Sequence, residues 1–223
     1  MSSSYFTKET IDAKAQEMFE RLQFFRVRRK MRFNPAEAAL LVIDMQRYFI
    51  EEESHAGLPS AVPIIPRIRK LAEAFQTARL PVILTRHLNT QQDANMLALW
   101  WADVISEESE LSEIAPELNL PDATIIIKTQ YDAFYQTALE KVLKKRGVSQ
   151  LVITGVMTHL CCETTARSAF VRGFKVFFPI DGTATNDENH HWGTLLNLSH
   201  GFAIPVLMKE LQSSLEVYSS GRT

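Results

Sequence analysis

The chain has 223 residues, 46% hydrophobic and 22% charged, with a formal net charge of −2; that supports one sizeable domain and gives no electrostatic basis for nucleic acid or an acidic membrane surface as partner. Its only cysteines, Cys161 and Cys162, are adjacent and cannot easily bridge each other, which excludes a disulfide framework. Met1 to Tyr5 lead into a charged segment without the apolar core of a secretory signal, and no run approaches the roughly 20 apolar residues of a membrane span, so a cytoplasmic protein in a thiol-preserving compartment is expected.

Residues 7–30 are charged and periodic, with Ile11, Ala15, Met18, Phe19, Leu22 and Phe25 at helical spacing. They predict an amphipathic helix in an N-terminal extension over 1–35, ahead of a main domain over 36–223, packing on that domain or on a partner subunit. The basic run from Arg26 to Lys30 reads as a solvated helix end or an interface contact, with no function assigned. Short apolar runs come next at 38–43, 81–85, 124–127, 151–154, 175–179 and 203–207, separated mostly by helical patterns at 64–79, 135–146, 161–172 and 190–200. Gly147, Gly173 and Gly201 stand where three of those helices should end. Strands apolar throughout and alternating with helices predict an α/β fold. The expected form is three-layer, doubly wound and Rossmann-like, a mostly parallel sheet of about six strands with helices on both faces. The stretch 86–122 breaks the rhythm and suits a lid or pocket wall, with Trp100 and Trp101 as pocket lining or oligomer contact.

The carboxyl ends of the strands carry the chemistry. The first strand ends in Asp44, the third in Lys128, and the fourth leads to Cys161 at a helix start, where backbone N–H groups favour a thiolate. In an open parallel sheet these ends face one crevice, so a base, a cation and a thiol converge from distant sequence positions. Each residue alone has an ordinary explanation as a turn carboxylate, a snorkelling lysine or a small buried hydrophobe; three complementary groups at three strand ends are harder to dismiss. Helical phase separates the cysteines. Cys162 shares a stripe with Ala166, Ala169 and Phe170 and reads as core; Cys161 shares one with Thr164, Thr165 and Ser168 and reads as site.

The segments Leu41-Val42-Ile43-Asp44-Met45-Gln46, Lys128 with Tyr131-Asp132-Ala133-Phe134, and Gly155-Val156-Met157-Thr158 to Cys161 resemble the isochorismatase-like cysteine hydrolases, over about residues 36–210 and in the family's order. The resemblance implies a catalytic triad of Asp44, Lys128 and Cys161 and a cis peptide at Val156–Met157. It also implies an oxyanion hole from the N–H groups of Met157 and Cys161, and a homo-oligomer. The reaction implied is hydrolysis of a C–N bond in a small amide or ureide through a thioester. Isochorismate-cleaving members, which hydrolyse a vinyl ether, typically lack the cysteine, so they are the alternative, together with a non-catalytic or redox-sensing member. Nicotinamidases in the family hold a metal through an aspartate and histidines near strand two. Here that region reads Thr85-Arg86-His87-Leu88-Asn89, the Asp-x-His spacing is absent, and His55 with His87 is a poor metal signal. A metal-independent enzyme with no cofactor, acting on a small molecule, is expected.

Arg86, His87, Tyr131, Phe134 and His159 flank the strand ends or the turn and are the candidates for substrate contact. His190-His191-Trp192 opens a helix and suggests capping or solvent contact, and Asp181 suggests a turn-stabilising carboxylate.

Overall fold

A computed structural model describes residues 4–101 and 103–221; the expectations placed on Met1 to Ser3 lie outside the described residues. Seven strands form one sheet: β1 (Ala38–Ile43), β2 (Val82–His87), β3 (Thr124–Lys128), β4 (Gln150–Val156), β5 (Lys175–Pro179), the two-residue β6 (Thr183–Ala184) and β7 (Ala203–Val206). The order is β3-β2-β1-β4-β5-β7, every pairing is parallel, and β6 pairs with the end of β4. Among the described residues eight α-helices accompany them: α1 (Ile11–Arg29), α2 (Arg47–Ile50), α3 (Ile65–Thr77), α4 (Met96–Trp100), α5 (Leu139–Lys145), α6 (Glu163–Val171), α7 (Glu188–Gly201) and α8 (Met208–Ser220).

Side-chain alternation along β1 builds the three layers. Leu40 and Val42 pack with α3 and α8 on one face, while Ala39, Leu41 and Ile43 pack with α1, α5, α6 and α7 on the other. Both faces of a central parallel strand are thus covered, which is why the run is apolar throughout. The edge strand β3 departs from this: Ile125 and Ile127 point together to an open face and are about half exposed. The N-terminal helix is tied into the body, burying Ile11, Ala15, Met18 and Leu22. Its basic end is exposed from Val27 to Lys30, with Arg26 pairing with Glu210 at 2.8 Å and Arg29 donating to the carbonyl of His200.

The crossovers run outward in opposite directions from β1 and β4, so the crevice at their carboxyl ends is the switch point where such folds bind ligands. These two strands meet very closely at Gly155, where φ is +109° and an added Cβ would lie 2.1 Å from the Ile43 carbonyl oxygen. Only glycine fits there. Gly147 and Gly173 do take left-handed conformations just after α5 and α6, whereas Gly201 is the last residue of α7 itself. Phe170, expected in the core with Cys162, is 44% exposed because α6 turns that position toward solvent. Among the described residues, no helix is long and apolar enough to cross a membrane.

Candidate active site

The strand ends bring the three expected groups into contact. Asp44 follows β1 with φ at +48°, a left-handed conformation that aspartate tolerates better than most residues. Thr85 fixes it twice: its hydroxyl accepts from the Asp44 N–H at 3.0 Å and donates to Oδ1 at 2.6 Å. The other oxygen, Oδ2, lies 2.7 Å from Lys128 Nζ and makes no further hydrogen bond. Lys128 Nζ also reaches Cys161 Sγ at 3.4 Å, His87 Nδ1 at 3.0 Å and the Gln130 carbonyl at 2.9 Å. Asp44 and Lys128 side chains are wholly buried and Cys161 is 5% exposed.

Electrostatics refine the sequence reading of the thiol. Burial pushes Cys161 well up, Lys128 opposes that, and the Asp44 charge adds to it. Burial therefore favours the thiol form, and nucleophilic attack calls for a base. Burial alone would lower Lys128, but the Asp44 charge and its hydrogen bond outweigh it and hold the group as an ammonium. Cys161 also stands in a π-turn, Thr158–Cys162, rather than in the first turn of α6 proper, which begins at Glu163. The Val156–Met157 peptide ahead of it is cis.

A cavity of about 780 Å³ opens over the sulfur and is lined in part by Tyr48, Phe49, Leu58, Leu97, Trp101 and Tyr131. His87, His159, Met157 and Cys161 also line it, as do His55, Asn186 and His190. Arg86 and Phe134 are placed elsewhere. On β2 the side chains of Thr85 and His87 face the site, so Arg86 points to the opposite face, where it binds Ser112 and Glu113. Phe134 is buried and stacks on Phe174, with ring centroids 5.9 Å apart. Trp101 donates its indole N–H to the Tyr131 hydroxyl at 2.6 Å and forms wall, while Trp100 is 74% exposed. Asp181 does more than hold a turn: it pairs with Arg67 at 3.0 Å and accepts from the Met208 N–H at the start of α8.

His191, expected at the surface, is completely buried, with Nδ1 3.0 Å from the Thr158 hydroxyl in the nucleophile turn and its ring against Tyr5 and Phe6. Its polar neighbours in sequence hid it. Burial pushes His191 down to about 3; burial and then the Lys128 charge push His87 down to about 4. Both fall below the ordinary imidazole value, so the unfolded chain binds protons that the native chain refuses. Their stabilisation is intact above about pH 6.5 and is lost as pH falls from there toward the lowered values. Urea unfolding is expected to show a loss of about 2 kcal/mol per imidazole between about pH 7 and about pH 4.5. His191→Phe is expected to flatten that decline.

The carboxylate of Asp44, a His87 nitrogen and the Cys161 sulfur all lie within 4.8 Å of one another, the spacing of a metal site. The place among them is filled by the Lys128 ammonium at 2.7 to 3.4 Å, a cation of the protein's own. His55 does not join His87; it contacts Tyr48 and Asp103 at 3.2 and 3.4 Å. These donors do not fit a metal centre of the kind held by nicotinamidases.

The isochorismatase domain model matches residues 38–210. The chain belongs to the isochorismatase family. It is 42% identical to Nicotinamidase 3 of Arabidopsis thaliana over 193 residues, covering 84% of this chain and 93% of that protein. It is 33% identical to enterobactin synthase component B of Escherichia coli (strain K12), covering 80% of this chain but 64% of that protein. A cysteine hydrolase from Pseudomonas syringae pv. phaseolicola 1448A superposes with a TM-score of 0.81 at 25% identity, covering 85% of this chain and 97% of the other. Family membership together with the buried thiol beside a carboxylate identifies a hydrolase of the cysteine type.

Proposed function

We propose that the protein hydrolyses the C–N bond of a small carboxamide, with Cys161 as nucleophile, Asp44 as the proton-transferring base and acid, and Lys128 as the cation that steadies both. The observation carrying this reading is the Lys128 ammonium 2.7 Å from Asp44 and 3.4 Å from Cys161 at the floor of an aromatic cavity. Asp44 Oδ2 takes the thiol proton as Sγ bonds to the carbonyl carbon and the C=O electron pair moves to oxygen. The N–H groups of Met157 and Cys161 are the proposed donors to that oxyanion. Collapse expels the nitrogen with the proton from Asp44, giving ammonia and a thioester. Water then adds to the thioester while its proton passes to Asp44, the C–S bond breaks, and Asp44 returns the proton to sulfur.

The walls favour a flat ring on the carboxamide. Tyr48, Phe49, Trp101 and Tyr131 supply four aromatic side chains around the cavity, and aromatic rings receive planar groups well. With a nicotinamidase among its relatives, an aromatic carboxamide such as nicotinamide is the first substrate to test. Ammonia release from nicotinamide is expected, undiminished after chelation, with no stoichiometric zinc or iron by elemental analysis. Activity that disappears on chelation and returns with added metal would refute the metal-independent reading.

Similarity to enterobactin synthase component B keeps isochorismate as the second substrate to assay. The thiol favours the amide, because vinyl ether hydrolysis has no acyl group for sulfur to receive. Pyruvate release from isochorismate with no ammonia from any amide in a small panel would reverse the order.

A further inference from the structure

His87 touches the catalytic groups yet has no ring nitrogen left for a substrate. Its Nδ1 lies 3.0 Å from Lys128 Nζ, and its Nε2 lies 2.6 Å from Asn89 Oδ1. An ammonium can only donate, so Nδ1 accepts, and the ring proton sits on Nε2, where Asn89 Oδ1 receives it. Asn89 is held in that orientation by donating its Nδ2–H to the Thr129 carbonyl at 2.9 Å. One neutral tautomer is enforced from both sides, in agreement with the depressed value near 4.

Lys128 has three protons and four acceptors around it. They are Asp44 Oδ2 at 2.7 Å, the Gln130 carbonyl at 2.9 Å, His87 Nδ1 at 3.0 Å and Cys161 Sγ at 3.4 Å. One acceptor always goes short. In the free protein that is the sulfur, which is the most distant and, as a thiol, the weakest acceptor. A thiolate competes far better, and a neutral imidazole yields a proton at less cost than a carboxylate does.

We propose that His87 is a positioning residue that competes with Cys161 for one Lys128 proton, keeping the sulfur protonated in the free enzyme and ceding the proton when the thiolate forms. This rests on Cys161 being the nucleophile. The groups facing the sulfur are Asp44 from β1, His87 from β2, Lys128 from β3, Tyr131 beyond it and Cys162 beside it.

The test is the pH dependence of Cys161 alkylation by iodoacetamide, followed by mass spectrometry on the full chain without substrate. In His87→Leu the released proton turns to sulfur, and the midpoint is expected about one pH unit lower, making alkylation on the acid side about tenfold faster. His87→Asn keeps an acceptor oxygen near the Nδ1 position and is expected to match the unsubstituted chain. His87→Phe likewise removes the ring acceptor while keeping a flat ring, so it is expected to shift the midpoint downward too, and it decides the matter if His87→Leu does not fold. An unchanged or raised midpoint in these apolar variants overturns the proposal. So does an equal drop in His87→Asn, since a loosened site rather than proton allocation would then be the cause. Alkylation needs no turnover, so failure here is separable from failure of the nucleophile assignment, which shows instead as hydrolysis by Cys161→Ala.

Discussion

Cys161→Ala is expected to lower kcat/KM for the amide substrate by at least about 10⁴-fold while leaving KM within about threefold, because it removes the bond-forming atom and little of the cavity wall. Cys161→Ser is expected to lose nearly as much. A hydroxyl is far less acidic than a thiol, and a site that pairs Lys128 with Asp44 at 2.7 Å has little spare positive charge to stabilise an alkoxide. Steady-state kinetics with an ammonia-coupled assay measure both, and trapping of a covalent adduct by mass spectrometry after a rapid quench is expected only with the parent chain. Cys162→Ala is the control. Its sulfur is fully buried, 3.9 Å from the Thr154 carbonyl in the core beneath the turn, so it should cost stability and leave kcat nearly intact. Full hydrolysis by Cys161→Ala would remove the thioester route altogether.

The sequence disclosed those parts of the fold and site that depend on one residue's type and its place in one element. The six main strands were legible as continuous apolar runs, and Asp44, Lys128 and Cys161 were legible because parallel strands deliver their carboxyl ends to one crevice. The two-residue β6 has no run to read. Helix α8 did carry a signal, Met208, Leu211 and Leu215 on one buried stripe, and after the last strand it continues the strand–helix alternation. The groups that tune the site were hidden for a different reason. Thr85 acts through a contact with Asp44 that exists only once β1 and β2 are paired, while Asn89 and Gln130 each touch a residue two positions away, His87 and Lys128, in a loop whose course the residue types do not specify, and Gln130 contributes only a main-chain carbonyl. Arg86 was drawn toward the pocket by its neighbours, although strand alternation alone already sets it opposite Thr85 and His87. His191 shows the converse: a histidine in a polar string, buried because residues from the N-terminal segment close over it.

The largest combined effect on stability and rate is expected from Lys128→Met. Methionine approximates the length of the lysine stem, so the substitution removes the charge with little change in packing. That leaves a fully buried Asp44 whose Oδ2 has lost its ion-pair partner at 2.7 Å. Breaking one side of a buried pair typically costs about 3–5 kcal/mol, because the other charge is left uncompensated. The variant also loses the cation that opposes thiol protonation, and kcat/KM is expected to fall by at least about 10³-fold. Adding Asp44→Asn separates the two consequences. With both charges gone the double variant is expected to recover most of the stability, giving a favourable coupling in the double-mutant cycle measured by urea unfolding, while its activity stays at the floor. Recovery of both together would mean that the pair serves packing alone. Recovery of neither would mean that Lys128 is held chiefly through His87 and the Gln130 carbonyl, which remain without their donor in either variant.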